Sequence, residues 1–322
     1  MTHLPAPLPH SGSQAGLQAT PQVAPDGSGT AAIVVTYNRK ELLTRCLNLL
    51  LEQTAVLEHI YVIDNASTDG TPEAIPQDPR ITHVRLERNL GGAYGFSYGV
   101  EEAMKADHRF LWLMDDDCLP EPEALAELLK HKGESEALCS AVLARDGRYD
   151  LTQRRNFDDV RLRESHVPVA AYAQESTPLD LFTFVSVLIS TDAVRRAGLP
   201  VRDFFFMYDD TEYALRLRRL GVKALLVGSS RVWHHGSVSY PSPRAPYNPL
   251  KHYYNTRNQL IVYRQYGTSI PWYAIRLLVK TGGAFIRLAQ HGELNRRSAA
   301  LAAHALLDAV RGRAYVRPIR TK

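Results

Sequence analysis

Three consecutive carboxylates, Asp115-Asp116-Asp117, follow directly on the apolar run Phe110-Leu111-Trp112-Leu113-Met114. Adjacent carboxylates repel one another, and a fold that gathers them calls for a cation to neutralise them. Mg²⁺ and Mn²⁺ typically take one or two carboxylates together with the oxygens of a substrate diphosphate. Alternate residues at a strand end point the same way, so Asp115 and Asp117 can share one metal while Asp116 faces a ribose or sugar hydroxyl. The rival reading, a solvated acidic loop, fits poorly with an apolar strand leading straight into the cluster.

Other candidate groups lie far from this one in the chain. Asp209-Asp210, with Glu212 and Arg216 beyond, follows the aromatic run Phe204-Phe205-Phe206-Met207-Tyr208, read as a strand. A carboxylate there can serve as a general base for an attacking hydroxyl; it can equally be an acid favoured at a helix N-terminus by the dipole. His234, after Trp233, can complete a metal shell or be structural. Asp64, after Val62-Ile63, can accept hydrogen bonds from a nucleobase or ribose, or cap a helix. Asn89-Leu90-Gly91-Gly92-Ala93-Tyr94-Gly95 has enough glycine for backbone to approach a diphosphate. It lacks the lysine of a P-loop and the spacing of a dinucleotide fingerprint.

The elements that must position these groups are legible in the apolar periodicity. Ala31–Tyr37 is a β-branched run typical of a strand buried on both faces. The helix that opens at Asn38-Arg39-Lys40-Glu41 carries Leu42, Leu43, Cys46, Leu47 and Leu50 on one face. Ile60–Ile63, Ile81–Leu86 and Phe110–Met114 continue a strand–helix alternation, which predicts an α/β fold with a mostly parallel sheet flanked by helices. Ligands in such sheets bind at the carboxyl ends of the strands. Thr36–Arg39, Asp64-Asn65, Asn89–Gly92 and Asp115–Asp117 all sit at such ends, so four polar clusters converge on one rim. Residues 140–180 read as loops and short strands, Asp180–Ile189 as a strand, and Ala224–Val227 as one more strand before Val232-Trp233-His234-His235.

Composition narrows the setting. The chain has 322 residues, 45% hydrophobic and 22% charged, which is ordinary for a globular protein. Three cysteines without paired spacing suggest neither a disulfide framework nor a zinc knuckle, and so a reducing, cytoplasmic location. Residues 1–28, rich in Pro, Gly, Ser, Gln and Ala, read as a disordered lead-in without the pattern of a secretory signal. A catalytic domain then spans 29–249 and a basic, mostly helical extension 250–322. Residues 251–322 hold 13 Lys or Arg against only Glu293 and Asp308, which calls for an anionic partner such as membrane phospholipid. The stretch Trp272–Leu288 is apolar but interrupted by Arg276, Lys280 and Arg287, so it suits lying on a membrane better than crossing it. No recognition motif favours nucleic acid.

Taken in order, Val34-Val35-Thr36-Tyr37-Asn38-Arg39, Ile63–Thr71, Asn89–Ala93, Asp115-Asp116-Asp117, Asp209–Arg216 and Val232-Trp233-His234 resemble family 2 glycosyltransferases of the GT-A fold, in particular bacterial galactofuranosyl- and rhamnosyltransferases. The resemblance covers roughly residues 31–240. It implies an inverting single displacement on a nucleoside-diphosphate sugar, a UDP- or dTDP-sugar such as galactofuranose or rhamnose. It also implies that Thr36, Asn38, Arg39 and Asp64 hold the nucleoside, with Asn89 and Gly92 beside the diphosphate. Asp115, Asp117 and His234 then bind Mn²⁺ or Mg²⁺, and Asp210 is the base. The acceptor is a hydroxyl of a polysaccharide or lipid-linked glycan, reached at the inner face of the cell membrane through peripheral contact by the basic C-terminal region. The Gln-x-x-Arg-Trp motif and channel helices of processive synthases are missing, which argues for single transfers. Two alternatives carry different expectations: a sugar-nucleotide nucleotidyltransferase would want glycines in the Thr36–Arg39 turn, and a non-catalytic glycan- or membrane-binding protein need not bind UDP.

Overall fold

The computed structural model describes residues 29–236, 248–292 and 295–314. The expected lead-in, residues 1–28, lies outside the described residues, as do Arg317, Arg320 and Lys322 of the basic end. In chain order the elements are β1 (Thr30–Thr36), α1 (Lys40–Leu51), β2 (His59–Asp64), α2 (Thr71–Ala74), β3 (Ile81–Arg85), α3 (Gly92–Ala103), β4 (Phe110–Asp115), β5 (Cys118–Pro120), α4 (Ala124–Lys130) and β6 (Ala137–Leu143). There follow β7 (Arg154–Asp158), β8 (Arg163–His166), β9 (Thr177–Leu179), β10 (Leu181–Phe182), β11 (Val187–Ser190), α5 (Thr191–Ala197), α6 (Asp209–Arg219), β12 (Ala224–His234), α7 (Pro249–Tyr266), α8 (Ile270–Gln290) and α9 (Arg296–Val310).

The main sheet runs β3-β2-β1-β4-β11-β6-β12-β5, with β9 also on β12. It is parallel from β3 through β4 and again between β6 and β12, while β11, β5 and β9 run antiparallel. Its burial explains the unbroken apolar runs. Every residue of β1 is buried, with Ala31, Ile33 and Val35 feeding one core and Ala32 and Val34 the other. On the second side Leu43, Cys46, Leu47 and Leu50 of α1 and Leu125 and Leu128 of α4 close the layer. On the first lie α3, α6 and the small sheet β10-β7-β8. A continuous β-branched run is what a strand covered on both faces requires.

Two expected strands are corrected. Asp180–Ile189 breaks between β10 and β11, where Ser186 adopts φ 57°. The buried guanidinium of Arg154 donates to the carbonyls of Val185 and Ser186 at this break. Phe204–Tyr208 is not a strand at all: Phe205, Met207 and Tyr208 have φ of 64°, 66° and 69°. Such conformations are costly for non-glycine residues, and α7 holds them in place. Asn258 Nδ2 donates to the carbonyls of Phe204, Phe206 and Met207 at 3.1, 3.0 and 2.8 Å, and Arg257 Nη2 donates to that of Phe204 at 3.2 Å. Carbonyls bound this way cannot join a sheet.

Candidate functional site

Because β1, β2 and β4 are parallel and adjacent, their carboxyl ends open on one side. Thr36 pairs with Asp64 in register, and Val35 with Asp115. A cleft of about 420 Å³ lies there, lined by Thr36, Arg39, Asn89, Gly92, Asp115, Asp116, Asp117 and His234. Eight of the residues singled out from the sequence thus share one cavity. Sequence reasoning missed Phe205 and Phe206 as further lining residues, because it took them for a strand.

The aspartates have three different environments. Asp116 is buried, and both its oxygens are taken: Oδ2 by Thr36 Oγ1 at 2.7 Å and Oδ1 by Arg39 Nη1 at 3.2 Å. Burial nevertheless pushes it up to about 6. Asp117 is buried too, but His234 and Arg39 outweigh burial and hold it at about 2. Its Oδ2 accepts from Arg39 Nη1 at 2.5 Å, and its Oδ1 lies 3.1 Å from His234 Nε2. At Asp115 the same two cations do not prevail. Burial, and then the charge of Asp117, push it up to about 7. On His234 the bond to Asp117 overrides burial and raises the imidazole above its ordinary value.

Ligand atoms of Asp115, Asp117 and His234 all lie within 4.8 Å of one another. Asp117 Oδ1 is buried without a well-aligned hydrogen bond. At Gly236 a Cβ would come within 2.5 Å of Asp117 Oδ2, so only glycine leaves the carboxylate clear. Two carboxylates and an imidazole whose ligand atoms lie this close together suit Mn²⁺ or a similar divalent ion; the residues fit the expected metal.

Asn38 and Asp64 are not among the residues that line the cleft. Asn38 ties the ends of β1 and β2, its N–H donating to Ser67 Oγ at 2.9 Å and its Oδ1 accepting from Thr68 N at 2.7 Å. Asp64 is fully buried; Oδ1 accepts from Ser67 N at 2.8 Å, and Oδ2 has His83 Nε2 at 3.5 Å. Asn89 Oδ1 accepts from Gly91 N at 2.8 Å. Gly91, not singled out beforehand, has φ 88°, and a Cβ there would sit 2.1 Å from the carbonyl oxygen of Phe205. Backbone contact at that glycine presses the Phe204–Tyr208 segment onto the start of α3.

Asp209 and Asp210 begin α6 directly after that segment. Asp209 is buried and near enough to Asp115 for their charges to interact; burial and then Asp210 raise it well above the ordinary carboxylate range. Asp210 is raised by burial, with Arg155 pulling the other way. Its Oδ1 accepts from Thr211 N and Thr211 Oγ1 at 2.5 and 3.0 Å.

The sequence profile described as Glycosyl transferase family 2 matches residues 31–191, half of the chain. The chain belongs to glycosyl transferase family 2. This family 2 chain is 28% identical over 203 residues to the galactofuranosyltransferase GlfT1 of Mycolicibacterium smegmatis, a match covering 59% of this chain and 66% of that protein. With GlfT1 of Mycobacterium tuberculosis the identity is 29% over 205 residues, covering 59% and 65%. The matched stretch therefore spans just under two thirds of these relatives' own length. Among solved structures, a mannosyltransferase from Pyrobaculum calidifontis in complex with GDP-Man and Mn²⁺ superposes with a TM-score of 0.55 at 17% identity, covering 88% of this chain and 86% of that one. Likeness at that identity speaks for the fold alone, and it bears out the GT-A architecture expected of a family 2 member.

Proposed function

We propose that this chain is an inverting glycosyltransferase that moves a sugar from a nucleoside-diphosphate donor to a hydroxyl of a polysaccharide or lipid-linked glycan. The observation that carries the reading is the cleft itself, in which the Asp115–Asp117–His234 group meets the polar ends of β1 and β4 and the glycine-rich start of α3. Similarity to galactofuranosyltransferases supports galactofuranose on UDP as the first donor to try, with rhamnose on dTDP next.

Asp115, Asp117 and His234 hold Mn²⁺ or Mg²⁺, which when bound supplies positive charge against the departing diphosphate. Thr36, Asn38, Arg39 and Asp64 form the nucleoside end. Asp116 contributes by fixing Thr36 and Arg39, to which both its oxygens are bonded. Asn89 and Gly92 lie beside the diphosphate, where Gly92 has open space in place of a side chain. Asp210 takes the proton of the acceptor hydroxyl as its oxygen attacks the anomeric carbon opposite the leaving group, which inverts that centre. Two neighbouring carboxylates push their proton affinities apart. Burial, Asp210 and Asp115 all favour the protonated form of Asp209, while Arg155 favours an ionised Asp210; this supports Asp210 as the base. The test is incubation of pure protein with Mn²⁺ and a panel of nucleotide sugars. Turnover of one pyrimidine-nucleotide sugar is expected; binding without turnover would favour a non-catalytic protein, and no binding at all would overturn the reading.

The acceptor side is read from α8. Of its 21 residues only Ala284 and Leu288 are buried. Arg276, Lys280 and Arg287, spaced four and seven residues apart, share one face, and Arg276 is turned inward onto the carbonyl of Arg161 at 3.0 Å. That leaves Ile275, Leu278, Val279, Gly282, Phe285 and Ile286 as an outward stripe without charge, with Leu278 72% and Ile286 59% exposed. Among the described residues no helix is long and apolar enough to cross a membrane. We assign this face to an anionic phospholipid bilayer, lying in its interface. Arg287, next to Ile286 in the chain, is exposed, as are Arg296 and Arg297 at the start of α9; they complement anionic headgroups, whereas a second copy would oppose like charges. Sedimentation with vesicles containing phosphatidylglycerol should carry the protein down, and Leu278→Asp with Ile286→Asp should weaken this at least tenfold while leaving UDP binding intact. Unchanged sedimentation of the variant would refute the assignment, as would a dimer that the same variant breaks in the absence of vesicle binding.

A further inference from the structure

The middle of the chain, which reads as irregular in sequence, folds into the β7–β8 hairpin and brings a cation to the start of α6. Arg155 of β7 donates from Nη2 to Thr211 Oγ1 at 3.0 Å, and that hydroxyl donates on to Asp210 Oδ1 at 3.0 Å. A hydroxyl has one proton, so accepting from Arg155 leaves it oriented to donate toward the carboxylate. Arg155 is itself clamped. Its Nη1 pairs with Glu164 of β8, and Glu164 Oε1 accepts from Tyr208 at 3.0 Å and Tyr263 at 2.9 Å. Tyr208 is the last residue before α6 and Tyr263 belongs to α7, so four elements converge on one ion pair whose two side chains are both largely buried.

A structural ion pair would need no contact with α6. Here the arrangement treats the two oxygens of Asp210 differently. Oδ1 is bound by Thr211, whereas among the described residues Oδ2 accepts no hydrogen bond. One oxygen is tied and the other is left for a proton. Charges around Asp210 come from Asp209 on its own helix, Glu164 on β8 and Arg155 on β7, so Arg155 is the cation that offsets two anions.

We propose that Arg155 is a positioning residue for sugar transfer: through the hydroxyl of Thr211 it fixes Asp210 in one orientation and keeps it anionic, while Glu164 holds Arg155 in place. This rests on Asp210 acting as the base. No atom of Arg155 touches the reacting groups; its effect is exerted on the carboxylate that does.

The test compares Arg155→Met, Arg155→Lys and Thr211→Val by kcat, donor KM and the pH profile of kcat, with Asp210→Asn in parallel and UDP titration as a check of folding. Arg155→Met is expected to lower kcat roughly 100-fold, within the range of a general-base contribution, with donor KM changed less than threefold. Its acid limb moves to higher pH, because the carboxylate loses its compensating cation. Arg155→Lys restores part of kcat and moves the limb back. Thr211→Val, which keeps side-chain volume and removes only the bridge, should reproduce a smaller version of the same split. An unchanged kcat in both Arg155→Met and Thr211→Val refutes the proposal, as does a loss shared equally by kcat and UDP binding with an unmoved acid limb. If Asp210→Asn keeps full transfer, the base assignment itself is wrong; if Asp210→Asn is inactive while the Arg155 and Thr211 variants behave as wild type, only the positioning role fails.

Discussion

Asp210→Asn should abolish transfer while leaving the donor bound. An amide of the same shape keeps the contacts to Thr211 but cannot take the acceptor proton, so kcat should fall by about 10² to 10⁴, the usual contribution of a general base. Binding of UDP with Mn²⁺, measured by calorimetry, should stay within twofold of wild type, because the candidate metal-binding group is Asp115, Asp117 and His234 and does not include Asp210. Asp209→Asn is the informative companion. Asp209 is buried and raised well above the ordinary range by burial and by Asp210, which favours its protonated form, so its amide should cost far less. Loss of donor binding in Asp210→Asn would remove the base role. A greater loss of kcat in Asp209→Asn than in Asp210→Asn would transfer that role to its neighbour.

The second large effect concerns the metal. Asp117→Asn removes a carboxylate held at about 2 by His234 and Arg39 against the pull of burial. It also takes the carboxylate from beside His234 and leaves Arg39 with Asp116 as its remaining ion pair among the described residues. Mn²⁺ affinity in the presence of UDP should drop by more than about 100-fold, since even outer-shell partners of a metal are worth 10–100-fold. The pH dependence carries a sign. Asp115 without metal is raised to about 7 by burial and by Asp117, so below that pH it carries a proton that an incoming cation must displace. Mn²⁺ affinity should therefore rise from pH 6 to pH 8, with the proton on His234, whose affinity Asp117 raises, adding to the slope, while Asp117 itself stays ionised across that window. Titrations at the two pH values that gave equal affinity would exclude Asp115 from the metal shell.

Much of the fold and of the candidate site is legible in one dimension, for identifiable reasons. The buried strands β1, β2 and β4 announce themselves because a strand covered on both faces is apolar along its length, as Ala31–Val35 and Phe110–Met114 are. Polar residues that break off such a run, as Asp64 and Asp115 do, are strand-end residues, and parallel neighbours bring their carboxyl ends together. That is why Thr36, Arg39, Asn89, Gly92, the three aspartates and His234 could be named before the cleft was described. Phe204–Tyr208 shows where this reading fails. Its aromatic pattern favours a strand, but Asn258 and Arg257, distant in sequence, bind its carbonyls and turn it into the loop that closes on Gly91.

The sequence alone thus determined the layered α/β architecture, the acidic and glycine-bearing strand ends, and the family to which they point, because all of these depend on local periodicity and on chemistry at the ends of short runs. Tertiary structure decided the rest. It set Arg39 across Asp116 and Asp117, turned Arg276 of α8 onto the carbonyl of Arg161, away from the apolar outer stripe, and carried Arg155 to Thr211 and Asp210. Each of these is an encounter between groups far apart in the chain, and its energy depends on burial and distance, which no local pattern encodes.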